Sequence, residues 1–184
     1  CSLGPSRLWF TVGGGILNEV YHPRIDIPQI RDLGIIVADG SGFWVEVKRM
    51  YRHSLTLAGP GVPAVHIVHE HERFELTLRI VPARERDVLL MEIELAGDAS
   101  LRPYALLAPH LGGTGNNNSA AIAGHRGHRV LWAEQGPYAL ALAAVTSDQQ
   151  DAWGRASCGF VGTSDGWQGF ARNGARIREH PNAG

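Results

Sequence analysis

The sequence has almost no helical signal, for nowhere does an apolar period of 3.6 residues persist long enough for a substantial helix. A helical domain is excluded with it. An excess charge of one sign is missing too. The 17 Lys and Arg stand against 18 Asp and Glu, so no basic field points to nucleic acid or to an anionic membrane. No apolar run approaches the roughly 20 residues that span a bilayer, and no charged head followed by an apolar segment opens the chain. Cysteine is scarce. Cys1 and Cys158 cannot make a disulfide framework, and both a bridge and two separate thiols stay open, as does the compartment.

What the chain does have is glycine, 23 in 184 residues, and short apolar segments of period two. Phe43, Val45 and Val47 alternate with Trp44, Glu46 and Lys48, which predicts one inward and one wet face. Phe74, Leu76, Leu78 and Ile80 alternate likewise with Glu75, Thr77 and Arg79. Leu89, Met91, Ile93 and Leu95 form another inward row beside outward Glu92 and Glu94. Residues 33–37 are continuously apolar, as expected of a strand covered on both faces. Further strands are predicted over 65–68, 104–108, 130–133 and 138–145, and the polar run from His69 to Arg73 reads as a solvated hairpin tip. Such spacing predicts an all-β antiparallel sandwich filling residues 1–184 as one domain. Residues 148–155 and 165–172 are each expected to make a turn or two of helix, the second capped by Ser164 or Asp165. Asn116, Asn117 and Asn118 read as a loop device, because asparagine tolerates left-handed backbone.

The densest stretch is residues 7–33. Trp9, Phe10 and Val12 lead into Gly13, Gly14 and Gly15, and Ile16, Leu17, Val20 and Tyr21 lead out, which predicts a hairpin. A polar, proline-stiffened loop from His22 to Pro28 follows before Arg31 and Asp32 open the next apolar run. Loops of that kind usually face something.

Trp9-Phe10-Thr11, Gly15-Ile16-Leu17-Asn18-Glu19-Val20-Tyr21, Pro23 and Arg31-Asp32-Leu33 resemble the amino-terminal domain of bacterial glucoamylases and glucodextranases of glycoside hydrolase family 15. His22 stands where that family shows a second tyrosine. The resemblance returns in Leu107-Ala108-Pro109-His110-Leu111 with Asn118, and again in residues 159–162 through Ser164-Asp165-Gly166-Trp167-Gln168. It implies a supersandwich like that of the galactose mutarotases, packed against an (α/α) barrel that carries both catalytic glutamates downstream. It further implies a parent that releases glucose from terminal α-1,4 or α-1,6 bonds of glucans by an inverting attack of water. The family's domain runs several strands beyond the last block, so the resemblance also implies a sandwich that ends early or closes differently. An open edge of that kind would invite a partner or a dimer.

Hydrolysis of a glycosidic bond needs two carboxyl groups in defined protonation states. Here most carboxylates, Glu46, Glu75, Glu92 and Glu94 among them, fall on outward strand positions, so no catalytic residue is assigned. His66, His69 and His71 with Glu70 and Glu72 have metal-ligand chemistry, but a hairpin tip splays its side chains, and neither metal nor cofactor is expected. The residues assigned to a sugar rim or a domain interface are Tyr21, His22, Pro23, Arg31, Asp32, His110, Asn118, Asp165, Trp167 and Gln168. Arg31 and Asp32 read first as an ion pair. Trp167 with Asp165 and Gln168 reads either as a stacking ring with hydrogen-bonding neighbours or as an anchor against a neighbouring domain, and the resemblance favours the anchor. Two other functions use the same residues. One is a free-standing carbohydrate-binding module working through Trp9, Trp44 or Trp167, and the other is a mutarotase-like epimerase with His110 as its acid.

Overall fold

The computed structural model describes residues 4–173 and 177–183. Cys1 lies outside them, and with it the question of a bridge to Cys158, whose thiol is buried and pushed up by that burial. The fold is all-β and antiparallel. Its residues group into two compact units, one of Cys1–Asp39 with Trp44–Ala108, the other of Gly40–Phe43 with Pro109–Gly184.

In the first unit, β1 (Trp9–Gly13), β2 (Ile16–Tyr21), β3 (Pro28–Ala38) and β4 (Trp44–Glu46) form one sheet in that order, and β9 (Arg102–Pro109) also pairs with β3. The predicted hairpin is there, turned by Gly14 and Gly15 at positive φ. Residues 22–27 make a shorter loop than expected, because Pro28 already begins a strand, a position where its missing N–H costs nothing. Ile35, Ile36, Val37 and Ala38 are 0 % exposed, as their unbroken apolar run required.

The second sheet of this unit is a meander of β5 (His53–Leu57), β6 (Val65–His71), β7 (Phe74–Pro82) and β8 (Leu89–Gly97). Its central strands bury Val65, Ile67, Phe74, Leu76, Leu78 and Ile80. The edge strands do not. Ile93 stays exposed in the row predicted to face inward, and all of β5 is exposed even though Leu55 and Leu57 alternate with Ser54 and Thr56.

In the second unit, β10 (Ser119–His125), β11 (His128–Gln135), β12 (Tyr138–Ala143) and the short β13 (Asn182–Ala183) form a sheet in the order β12-β11-β10-β13. The one α-helix among the described residues, α1 (Gly166–Arg172), is capped as predicted, with the Asp165 carboxylate accepting from Gln168 N. No helix forms over residues 148–155. Asp151 there accepts from Trp153 N and Arg129 Nε instead, and Val145 bridges to Asp151. No helix among the described residues is long and apolar enough to cross a membrane.

One expectation about side chains is overturned and a second holds only in part. Glu46 is not on a wet face but buried, because a 3-10 turn (Val47–Arg49) follows β4 at once and breaks the alternation. The turn also brings back Arg49 Nε at 2.7 Å and Lys48 Nζ at 3.1 Å to hold the carboxylate. The run from His69 to Arg73 is a solvated hairpin tip only in part. Strand pairing continues to His71↔Phe74, the turn is only Glu72 and Arg73, and His69 is 0 % exposed.

Candidate functional site

The residues singled out from sequence fall into two groups, one in each unit. In the first, Tyr21 ends β2 and donates its hydroxyl to Glu19 Oε2, two residues back on the same face. That bond, with partial burial, raises the Tyr21 pKa, so the phenol keeps its proton. His22 Nε2 lies 3.0 Å from Asp87 Oδ2, and the His22-Pro23 peptide is cis. Arg7 closes on the same carboxylate through its backbone N–H at 2.6 Å and its guanidinium at 2.7 Å. These donors hold Asp87 at a pKa of about 2, the backbone N–H of Arg7 contributing most. Asp87 therefore ties the N-terminal segment, the loop after β2 and the β7–β8 turn together. Sequence reading missed it, since nothing local distinguishes Asp87 from any turn aspartate.

Arg31 and Asp32 are neighbours in β3 and make only a long pair, 4.0 Å apart. Lys48 Nζ, at 3.4 Å, is nearer to Asp32, and the Arg31 side chain is 61 % exposed.

In the second unit, His110 and Asn118 bracket a loop that folds on itself. Asn118 accepts from Leu111 N at 3.3 Å and donates to Thr114 O at 3.2 Å, while Gln135 Nε2 bonds both Thr114 Oγ1 and Asn116 O. Asn117 takes φ 59°, the left-handed backbone anticipated for this triplet. Gly112, at φ +65°, lies so close to Tyr138 that an added Cβ would sit 2.6 Å from the ring. His110 is half-buried, and its ring makes no hydrogen bond among the described residues. Asn118 is thus a staple of the loop, and His110 is carried at its mouth.

Asp165 accepts from Gly162 N and Gln168 N, closing the turn before α1. Asp165 and Gln168 line a hollow of about 190 Å³ with Arg172, Asn173, Arg178 and His180. Trp167, one residue from Gln168, does not line it. The expected trio of ring and hydrogen-bonding neighbours is therefore split between different faces of the helix.

A second hollow, of about 250 Å³, lies on the outer face of the β5–β8 sheet and is lined by His66, Thr77, Arg79, Glu75 and Glu94, with Val68 and Ala96. Arg79 reaches Glu92 at 3.1 Å and Glu94 at 3.2 Å, so this is a salt-bridged strand surface open to water. Among the described residues no group of three or more His, Cys, Asp or Glu side chains is placed to hold a metal ion.

His69, like Glu46, is a buried polar group that its sequence pattern places on a wet surface. Its Nε2 lies 2.7 Å from Gly15 O, and since a carbonyl can only accept, Nε2 carries the proton. Nδ1 is buried with no hydrogen-bond partner among the described residues, and the His53 ring is 5.4 Å away. Burial accordingly lowers the His69 pKa and keeps the ring neutral. This histidine joins the glycine turn of one sheet to the inner row of the other.

Antiparallel sheets whose polar clusters staple loops place the chain in the class of antiparallel β-domains. Comparison with known proteins makes it particular, because the profile for glucodextranase domain N matches residues 1–183, and the chain belongs to that family. A glucoamylase from Clostridium sp. (strain G0005) is 25 % identical over 146 residues, covering 76 % of this chain and 21 % of its own length. The crystal structure of a bacterial glucoamylase complexed with acarbose superposes with a TM-score of 0.87 at 21 % identity, over 97 % of this chain and 27 % of that one. The chain thus spans between a fifth and a third of the length of these relatives.

Proposed function

We propose that residues 1–184 form the non-catalytic amino-terminal β-domain of a glucoamylase-type enzyme that releases glucose from the ends of α-1,4 or α-1,6 linked glucans. In this reading the chain supports an (α/α) barrel of the same parent, and that barrel supplies both catalytic carboxylates. The observation that carries it is the family match over residues 1–183 in a chain that spans only about a fifth of the glucoamylase relative. The carboxylates fit the same reading, for several are committed to structural contacts. Glu46 is held by Arg49 and Lys48, Asp87 by Arg7, and Asp165 by the turn before α1. Glu75 and Glu94 share a hollow, but it lies on a solvated strand face with Arg79 beside Glu94.

The test is glucose release from maltose and soluble starch. The full parent chain should liberate glucose, and the purified 184-residue chain should liberate none. Turnover by the chain alone that survives purification and disappears in Glu75→Gln or Glu94→Gln would overturn the reading.

A further inference from the structure

We infer that the open end of the β1–β2–β3 face is a binding platform for a neutral oligosaccharide of the α-glucan class, with Trp9 as its stacking ring and Glu19, Arg31 and Tyr21 as its hydroxyl-binding rim. The register brings these residues together. Trp9 pairs directly with Tyr21 across β1 and β2. Period two puts Glu19 on the same face as Tyr21, and the pairs Leu17↔Leu33 and Val20↔Ile30 set Arg31 opposite Glu19. At one end this face passes into the core at Leu17 and Leu33, whereas at the other Trp9, Glu19 and Tyr21 are only half covered and Arg31 is exposed.

The unspent hydrogen-bonding capacity points to sugar. The Trp9 indole N–H has no partner among the described residues. Glu19 spends one carboxylate oxygen on the Tyr21 hydroxyl and leaves Oε1 free, and its backbone N–H is anchored on Thr11 Oγ1 at 3.2 Å. Among the described residues Arg31 has only the 4.0 Å contact to Asp32. A half-exposed indole beside a carboxylate and a guanidinium matches a pyranose, whose C–H face stacks on the ring while adjacent hydroxyls take paired hydrogen bonds. Glu19 and Arg31 cancel in charge, so the face favours neither an anionic nor a cationic ligand. The platform itself rests on geometry alone, while the choice of α-glucan rests on the function proposed above.

The experiment is calorimetric titration of the 184-residue chain with maltoheptaose, with cellohexaose as the parallel arm. Maltoheptaose should bind. Trp9→Ala should weaken it roughly tenfold or more, and Arg31→Met and Tyr21→Phe about three- to tenfold, with Trp132→Phe on the other unit's sheet unchanged. Circular dichroism checks folding, and because Arg31 is exposed its variant keeps the test valid if Trp9→Ala does not fold. No binding of either sugar at about 10 mM, or binding that neither Trp9→Ala nor Arg31→Met alters, overturns the platform. Binding of cellohexaose but not maltoheptaose overturns the α-glucan assignment. Neither result bears on whether the chain hydrolyses anything, so the two readings fail separately.

Discussion

The two units of this chain are held together by different means. In the first, whole rows of apolar side chains are sealed, from Ile35 to Ala38 on β3 and through Ile67, Leu76, Leu78 and Ile80 on β6 and β7. Among the described residues of the second, full burial is reached only at isolated points, Leu111 and Phe170, and β12 shows half-covered residues alternating with exposed ones. Polar staples do much of the ordering there. Asn118 closes one loop, Asp165 the turn before α1, and Asp151 the segment after β12. The lesson is that a regular alternating pattern forecasts a strand but not how much of its inner row will be covered.

The sharpest way to break this comparison is to cut the same side chain in both units. Leu78→Ala removes a residue that is 0 % exposed and should cost about 3–5 kcal/mol, whereas Leu142→Ala, half-covered on β12, should cost only about 1 kcal/mol. Urea denaturation measures both. Equal losses would show that the second unit has a core as tight as the first.

The next largest effect is expected at Gly15. An alanine there must adopt φ +74° and would place its Cβ 2.4 Å from His69 Cε1, so Gly15→Ala should cost about 2–4 kcal/mol. Gly136→Ala, the matching test in the second unit, also has positive φ but open space around it, and should show only the backbone cost of about 1–2 kcal/mol. His69 adds a pH test of known sign. Its folded pKa is lowered, so the unfolded chain takes up a proton first, and stability is lost as pH falls below the ordinary histidine value near 6.5. In His69→Gln that slope should flatten, and an unchanged slope would place the titrating group elsewhere.

The same contrast decides what could be read from sequence. The hairpin of residues 9–21 was legible because three glycines interrupt two apolar runs, and β3 because five apolar residues stand together. The cap of α1 was legible from local chemistry as either Ser164 or Asp165, and the structure uses Asp165. Three features were not. His69 lies in a run of charged residues, and only its strand pairing shows that it faces Gly15. Glu46 follows a clean alternation that a 3-10 turn then ends. β10, Ser-Ala-Ala-Ile-Ala-Gly-His, has side chains too small for a hydrophobic period, so β11 and β13 on either side define it. Of the assigned site residues, sequence blocks located Tyr21, His22, Asn118 and Asp165 but not their partners. Glu19, Asp87, Leu111 and Gly162 are set by register and loop closure, which no single window contains.

Smaller effects should sharpen the contrast by reversing its direction. Asp165→Ala and Asn118→Ala in the second unit should each cost about 1–2 kcal/mol by freeing backbone N–H groups. Arg79→Ala on the wet face of the first should leave the urea midpoint nearly unchanged despite its two ion pairs. A larger loss at Arg79 than at Asn118 would mean that polar contacts matter equally in both units.

The smallest expected effect concerns the aspartate clamps that both units use, Asp87 in the first and Asp151 in the second. Each joins segments distant in sequence, and each has its pKa held below the ordinary carboxylate value, Asp87 chiefly by the Arg7 backbone N–H and Asp151 chiefly by the Arg129 guanidinium. A carboxylate with a lowered folded pKa stabilises fully above its unfolded value. For Asp87 that contribution fades as pH falls from 3.8 toward about 2, because the unfolded chain protonates first. The difference in urea midpoint between the wild-type chain and Asp87→Asn should therefore be present at pH 7 and shrink through that acid window. Because both groups are partly exposed, added salt should shrink it as well. Asp151→Asn should behave alike but lose less, since Asp87 collects the Arg7 guanidinium, the Arg7 N–H and His22, whereas Asp151 has one guanidinium and the Trp153 and Arg129 N–H groups. A gap at Asp87 that persists undiminished below pH 3 would assign its role to shape alone and not to charge.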